Sequence, residues 1–352
     1  MTCIDNLYIS ALVLESMFCP NCGRYIPADS PVCQYCGVNF TPRDKFPADK
    51  VAALAVVVLL GASAVYFMNY KIEDADTLVR AALKEMREGD EILQLVEGRL
   101  NAAEDIQFES DSHSKSEWEY AVRTKGEIQR LLPLLEDASS SYERAATFLV
   151  SCKGLRLPGW YHEYVETQLE IVSIRREYCD VLSEVSESYI MYYDFASCYL
   201  DGEQLLLAVM VDMNRGNDHL ETKDYQFAFA AYESAIESLT NAEKAYIAAA
   251  RIIDISYIDD SLTNLEHLEK ALDSLSEAAH QLEIGNTEHA SLLAELGIQE
   301  MSSLIEVNKL QLKREVAAWY EMHITEKQGK AQQLRQAIEE LEEKAESLRS
   351  QR

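Results

Sequence analysis

Four cysteines fall in two close pairs, Cys19-Pro20-Asn21-Cys22-Gly23 and Cys33-Gln34-Tyr35-Cys36-Gly37. Each Cys-x-x-Cys can turn tightly enough to present two sulfurs to one ion. The glycine after each pair accepts the left-handed backbone that such a turn needs. Two knuckles of this kind close a tetrahedral thiolate cage, with metal–sulfur distances of about 2.3 Å. Sulfur fills all four positions, so no place is left for a catalytic water and the expected chemistry is structural. The spacing predicts one zinc ion per chain held by Cys19, Cys22, Cys33 and Cys36. A redox Cys-x-x-Cys normally stands alone beside a βαβ pattern, and none is present. Iron accepts the same all-sulfur tetrahedron, so ligand identity alone does not separate it from zinc.

The other candidates for chemistry are fewer. Cys3, Cys152, Cys179 and Cys198 are scattered, and the last three read as buried small apolar side chains. His162-Glu163 lacks the second histidine of an HExxH helix, and Glu277-Ala278-Ala279-His280 is a single ExxH where a di-iron bundle needs two. No phosphate-cradling glycine loop or nucleophile elbow occurs. No catalytic residue and no small-molecule substrate is identified.

The elements that must position the cysteines are short. Tyr25, Ile26, Val32, Val38 and Phe40 supply a few apolar contacts, too few to fold about 25 residues without metal. On CPNCG and CQYCG, residues 17–40 resemble the short zinc-ribbon domains at the N-termini of many prokaryotic membrane proteins. That resemblance implies structural ligands at Cys19, Cys22, Cys33 and Cys36, and says nothing specific about function. Only Arg24 lies inside the ribbon, so protein docking is a better expectation than nucleic-acid binding. Residues 1–16 precede it without a basic n-region, and read as a leader from a misplaced start codon or a short disordered tail.

After a linker at 41–50, residues 51–70 (VAALAVVVLLGASAVYFMNY) carry no charge and lie between Lys50 and Lys71. Twenty residues at 1.5 Å each match a hydrocarbon core of about 30 Å, which predicts a single transmembrane helix. A buried core helix and a late signal peptide cleaved after Ala64 are the competing readings. Arg43, Lys45 and Lys50 against Lys71 and Arg80, together with the thiolates, place the ribbon in the cytoplasm and the remainder outside the cell membrane.

Residues 71–352 are rich in helix formers and hold only Pro133 and Pro158, which predicts an all-helical region. A stalk is expected over 71–108, with apolar spacing from Leu78 to Leu100. A second helix from Ser116 to Val150 would be kinked at Pro133, and an aromatic-rich helix would carry Tyr178, Tyr189, Tyr192, Tyr193, Phe195 and Tyr199. Helical hairpins are expected over 116–326. Gly216, Asp224-Tyr225, Ala228, Tyr232 and Ala235 weakly resemble one tetratricopeptide hairpin, without the 34-residue repetition of an array. Residues 327–352 hold a coiled-coil candidate on Leu334, Ile338, Leu341, Ala345 and Leu348, which could equally pack on its own domain.

The chain of 352 residues has a formal net charge of −28. Five acids against four bases leave −1 in residues 1–68, so the remainder carries −27. Such a surface repels phosphate backbones, so nucleic-acid binding by the helical region is not expected. The expected protein is mainly α, with a zinc ribbon, one membrane span and a helical interaction region. An enzyme assembled from distant helices and a purely structural spacer are the rival readings.

Overall fold

The computed structural model describes residues 16–27, 30–39, 55–59, 71–103, 106, 108 and 115–350. The chain divides into two compact units, Met1–Tyr70 and Lys71–Arg352.

The second unit is helical throughout its regular structure, with α1 (Ile72–Asn101), α2 (Lys115–Gln129), α3 (Leu132–Lys153), α4 (Gly159–Glu221), α5 (Tyr225–Ile252), α6 (Ser256–Glu283), α7 (Thr287–Ser302), α8 (Lys309–Tyr320), a π-turn (Glu321–Thr325) and α9 (Glu326–Ser350). At 63 residues, α4 is a spine of about 95 Å. The buried positions of α1 are Ala75, Val79, Ala82, Met86, Gly89, Leu93, Val96 and Leu100, alternating steps of four and three. That seam meets α3 running the other way, with Cys152 near Ala75 and Arg144 paired to Glu85. The N-terminal part of α4 packs against α3 and α9 and its middle against α2, while its C-terminal part lies against α5. Beyond α5, helices α6 and α7 add in turn as antiparallel neighbours.

The core is aromatic at the middle of the spine. Tyr189, Tyr192, Tyr193, Phe195 and Tyr199 are all buried, and they meet Phe108, Tyr120, Tyr246, Tyr257 and Tyr320 at ring separations of 5.3–6.4 Å. Edge-to-face packing of this kind adds to plain area burial. Toward the N-terminal end of the spine, other buried tyrosines fill the core with the ring while the hydroxyl reaches a rim carboxylate. Tyr142 donates to Asp90, Tyr161 to Asp76 and Tyr178 to Glu97, at 2.6–2.7 Å.

Buried tyrosine rings also lie over glycines. A Cβ on Gly202 would sit 2.6 Å from Tyr246, and one on Gly216 would sit 2.6 Å from Tyr232. Gly202→Ala gains about 1 kcal/mol of helix propensity. Overpacking a ring that is 1 % exposed and anchored to Glu203 costs about 1–3 kcal/mol, so the clash wins. We expect the thermal midpoint of the helical unit to fall by a few degrees in this variant.

Several expectations need correction. Within 51–70 only 55–59 are described; they are helical and cover about 7.5 Å of a core about 30 Å thick. Among the described residues no helix is long and apolar enough to cross a membrane. The transmembrane helix, the membrane as a partner, the cell-membrane location and the cytoplasmic placement of the ribbon therefore lose their basis. The rest of 51–70 lies outside the described residues. An uncharged run is a property of composition, whereas a span requires a continuous helix.

The stalk helix ends at Asn101, and the polar stretch expected to end it, 109–116, lies outside the described residues up to 114. Pro133 separates α2 from α3: it occupies the first turn of α3, where its missing N–H costs nothing. The hairpin around 216–237 exists, but its helices are 63 and 28 residues long, so it is no tetratricopeptide unit. The C-terminal seam packs on α4 of the same chain, burying Ala331, Ile338, Ala345 and Leu348 beneath the pairs Lys330–Glu177 and Lys344–Glu163.

Candidate metal centre

Within the first unit, the described residues 16–27 and 30–39 form a small ribbon. Strand β1 (Ser16–Phe18) pairs antiparallel with β2 (Tyr25–Pro27), in the register Ser16↔Pro27, Met17↔Ile26 and Phe18↔Tyr25. Ser16, assigned from sequence to the leader, is thus part of the ribbon. A bridge between Val32 and Asn39 closes the second half.

The two knuckles are built alike. In the first, the Cys19 N–H donates to the Arg24 carbonyl at 2.8 Å and the Gly23 N–H to the Cys19 carbonyl at 2.7 Å. In the second, the Cys33 N–H donates to Val38 and the Gly37 N–H to Cys33, both at 2.9 Å. Gly23 and Gly37 have φ of +68° and +70°, the left-handed conformation in which a side chain would be strained. The same local turn, made twice, brings the four sulfurs together.

Cys19 Sγ lies 3.6 Å from Cys36 Sγ, and Cys22 Sγ lies 3.6 Å from Cys33 Sγ. All four sulfurs lie within 4.8 Å of one another. A tetrahedron with metal–sulfur bonds of about 2.3 Å has edges of about 3.8 Å. A disulfide would bring two sulfurs to about 2.05 Å, and all four cysteines are free. The residues therefore fit one tetrahedral metal ion.

Electrostatics point the same way. The Asn21 side chain donates to Cys36, and with the Val38 N–H it draws that thiol down to about 6. At Cys22 the Arg24 N–H pulls downward, but burial and the three neighbouring sulfurs outweigh it and push the thiol up to about 12. Four thiolates in so small a volume cannot all ionise unless a cation balances them, and binding one releases protons. Asn21 was not singled out by sequence reasoning. Its position inside the first Cys-x-x-Cys was the available signal, because a side chain there can reach across to the opposite knuckle.

Among the described residues, Cys19, Ile26 and Cys33 form the ribbon's buried cluster. Tyr25 and Val32, expected to fill the core, are exposed, while Phe40 lies outside the described residues. Phe18 stacks edge-on against Tyr25 at 5.2 Å, and the Arg24 guanidinium lies 4.9 Å from the centre of the Tyr35 ring. These side chains decorate the outside of the ribbon.

The remaining candidates do not converge. Cys152 and Cys179 are buried free thiols, and burial raises Cys179 to about 12. Glu163 pairs with Lys344; Glu277 accepts from Gln281, whereas His280 turns to Glu283. Among the described residues the four ribbon cysteines are the one cluster with metal-ligand geometry. Compared with known family models, curated proteins and solved structures, the chain gives no match to any of the three.

Proposed function

We propose that this chain is a non-enzymatic interaction protein, in which a structural zinc ion shapes the ribbon and the helical unit serves as a scaffold for other proteins. The observation that carries the zinc reading is the four sulfurs of two equivalent knuckles gathered within 4.8 Å of one another, with the Cys19–Cys36 and Cys22–Cys33 pairs at 3.6 Å. A closed sulfur set favours a structural ion over a catalytic one, which needs an open position. The exposed Phe18, Tyr25 and Tyr35, with Arg24 among them, supply the aromatic and arginine side chains enriched where proteins meet.

The scaffold reading is supported by a cleft of about 690 Å³ in the helical unit, between α1, α4 and α9. Its charged groups satisfy one another: Glu97 accepts from Tyr178 at 2.6 Å and from Arg335 at 3.3 Å, and Arg335 also meets Glu339. A catalytic acid or base needs a proton path to a substrate; these groups are spent in holding three helices together.

The test is elemental analysis of the purified full chain. One zinc per chain, with iron at trace level, is the expected result. The double variant Cys33→Ser, Cys36→Ser should carry none. Unchanged zinc in that variant, or stoichiometric iron in the parent, would overturn the assignment.

A further inference from the structure

Resting on the interaction reading above, we propose that the outer face of α4 at Leu207, Met210 and Val211 is the docking surface, and that its partner is a cationic amphipathic helix. Residues 205–211 read LLLAVMV, seven apolar residues in succession in a chain of net charge −28. A helix that is apolar all round is normally covered all round. Here α5 covers one side only. Val209 is 1 % exposed, and Gly202 and Gly216 lie under the rings of Tyr246 and Tyr232. Leu207, Met210 and Val211 are spaced i, i+3, i+4, which puts them together on the opposite side. They are 46 %, 55 % and 57 % exposed.

The surroundings define the partner. By helical periodicity the same face carries Asp218 and Glu221 after the patch, while Glu203 before it is turned to Tyr246 on α5. Glu203 already meets Lys309 at 3.5 Å, and Arg215 is held by Asp212 at 2.7 Å. Asp218 and Glu221 are both exposed. An apolar centre with an exposed acidic end matches a helix whose apolar stripe is followed by lysine or arginine. A second copy would bring a net charge of −28 against the same charge, and an anionic bilayer would be repelled in the same way. Met210 adds an adaptable, unbranched side chain of the kind used on helix-binding surfaces.

The probe is a fluorescent synthetic peptide of about 18 residues, long enough to form a helix, with leucine on one face and lysine on the other. A glutamate-for-lysine version is the control. Each is titrated with the zinc-loaded full chain, and anisotropy is followed at about 0.15 M and about 0.5 M salt. The lysine peptide should bind and the glutamate peptide should not. The triple variant Leu207→Ser, Met210→Ser, Val211→Ser should weaken binding by about tenfold or more, because three apolar contacts are lost at constant charge. Its circular-dichroism melt should match the parent, since the altered side chains lie outside the core. Asp218→Asn with Glu221→Gln should weaken binding at low salt and flatten its salt dependence.

Leu292→Ser, Leu296→Ser, Ile298→Ser on α7 removes three other exposed apolar side chains and should leave affinity unchanged. Binding lost in the α7 variant but kept in the α4 variant would overturn the α4 assignment while the interaction reading stands. Equal binding by the parent and both variants would reduce the effect to general charge attraction and overturn the proposal. No binding by the parent would overturn the proposal and withdraw its support from the interaction reading. A dimer in sedimentation equilibrium, or capture by anionic vesicles, that disappears in the α4 variant would replace the proposed partner by a second copy or a membrane.

Discussion

Replacing Arg175 by methionine lowers the stability of the helical unit by about 2–3 kcal/mol, and adding Asp90→Asn returns part of the loss. Arg175 is 8 % exposed, and its guanidinium joins three elements. It lies 3.1 Å from Asp90 on α1 and 2.5 Å from Glu342 on α9, and 5.7 Å from the centre of the Tyr142 ring on α3. Tyr142 in turn donates to Asp90 at 2.7 Å. Methionine keeps most of the aliphatic volume, so the measured loss reports the missing charge. Breaking a fully buried pair costs about 3–5 kcal/mol; the two carboxylates here are 40 % and 45 % exposed and recover some hydration, which sets the lower figure. Chemical denaturation with constant m-value is the measurement.

The same variant has a pH signature. Burial raises Asp90 above its ordinary value, against the opposing pull of Arg175 and of the Tyr142 hydroxyl. Burial raises Glu342 as well, with Arg175 again opposing. An acid that binds its proton more tightly when folded adds stability below its unfolded pKa, and loses that addition as pH rises through the folded value. Both groups therefore favour mild acid over neutrality. Without Arg175 the opposing pull is gone, both pKa values climb, and the fall in stability on going from about pH 4 to about pH 7 becomes steeper. A parallel pH profile in parent and variant would show that Arg175 acts by packing alone.

The cysteine cluster was legible in the sequence because ligand chemistry is local: each knuckle needs only five residues, and two equivalent knuckles imply one ion. Helices were legible where periodicity is strong, yet their partners were not. The stripe Leu334, Ile338, Leu341, Ala345 and Leu348 reads as a coiled-coil seam, and Ile338, Ala345 and Leu348 are indeed buried; the covering surface is α4 of the same chain. In α1 the reading favoured large residues. Leu78, Leu83 and Ile92 lie at the margin of the core, whereas Ala75, Ala82 and Gly89 sit at its centre, where α3 approaches closely. Pattern counting by side-chain size misses contacts that depend on small residues. The break at Pro133 and the exposure of Leu207, Met210 and Val211 depend on which neighbours are present, and periodicity is silent on that.

Chelation of the proposed zinc should unfold the ribbon. Two strands of three residues and one buried isoleucine cannot offset the backbone entropy of ordering residues 16–39, about 1–2 kcal/mol per residue. Structural zinc binding supplies about 10–16 kcal/mol near neutral pH, so folding and metal binding are one event. In the full chain, amide resonances of 16–39 should be dispersed with zinc. With excess chelator they should collapse to unfolded shifts, and one equivalent of zinc should restore them. Restoration should release protons, because thiols such as Cys22, pushed up to about 12 in the metal-free cluster, must ionise to bind. Ile26→Ala, which empties the buried position between Cys19 and Cys33, should cost only about 2–4 kcal/mol and leave zinc stoichiometry intact. The contrast separates the two contributions: the apolar residue refines a fold that the metal creates. Dispersed resonances that persist in chelator would mean that the backbone bridges from Cys19 to Arg24 and from Cys33 to Val38 hold the knuckles unaided, and the metal's structural role would be lost.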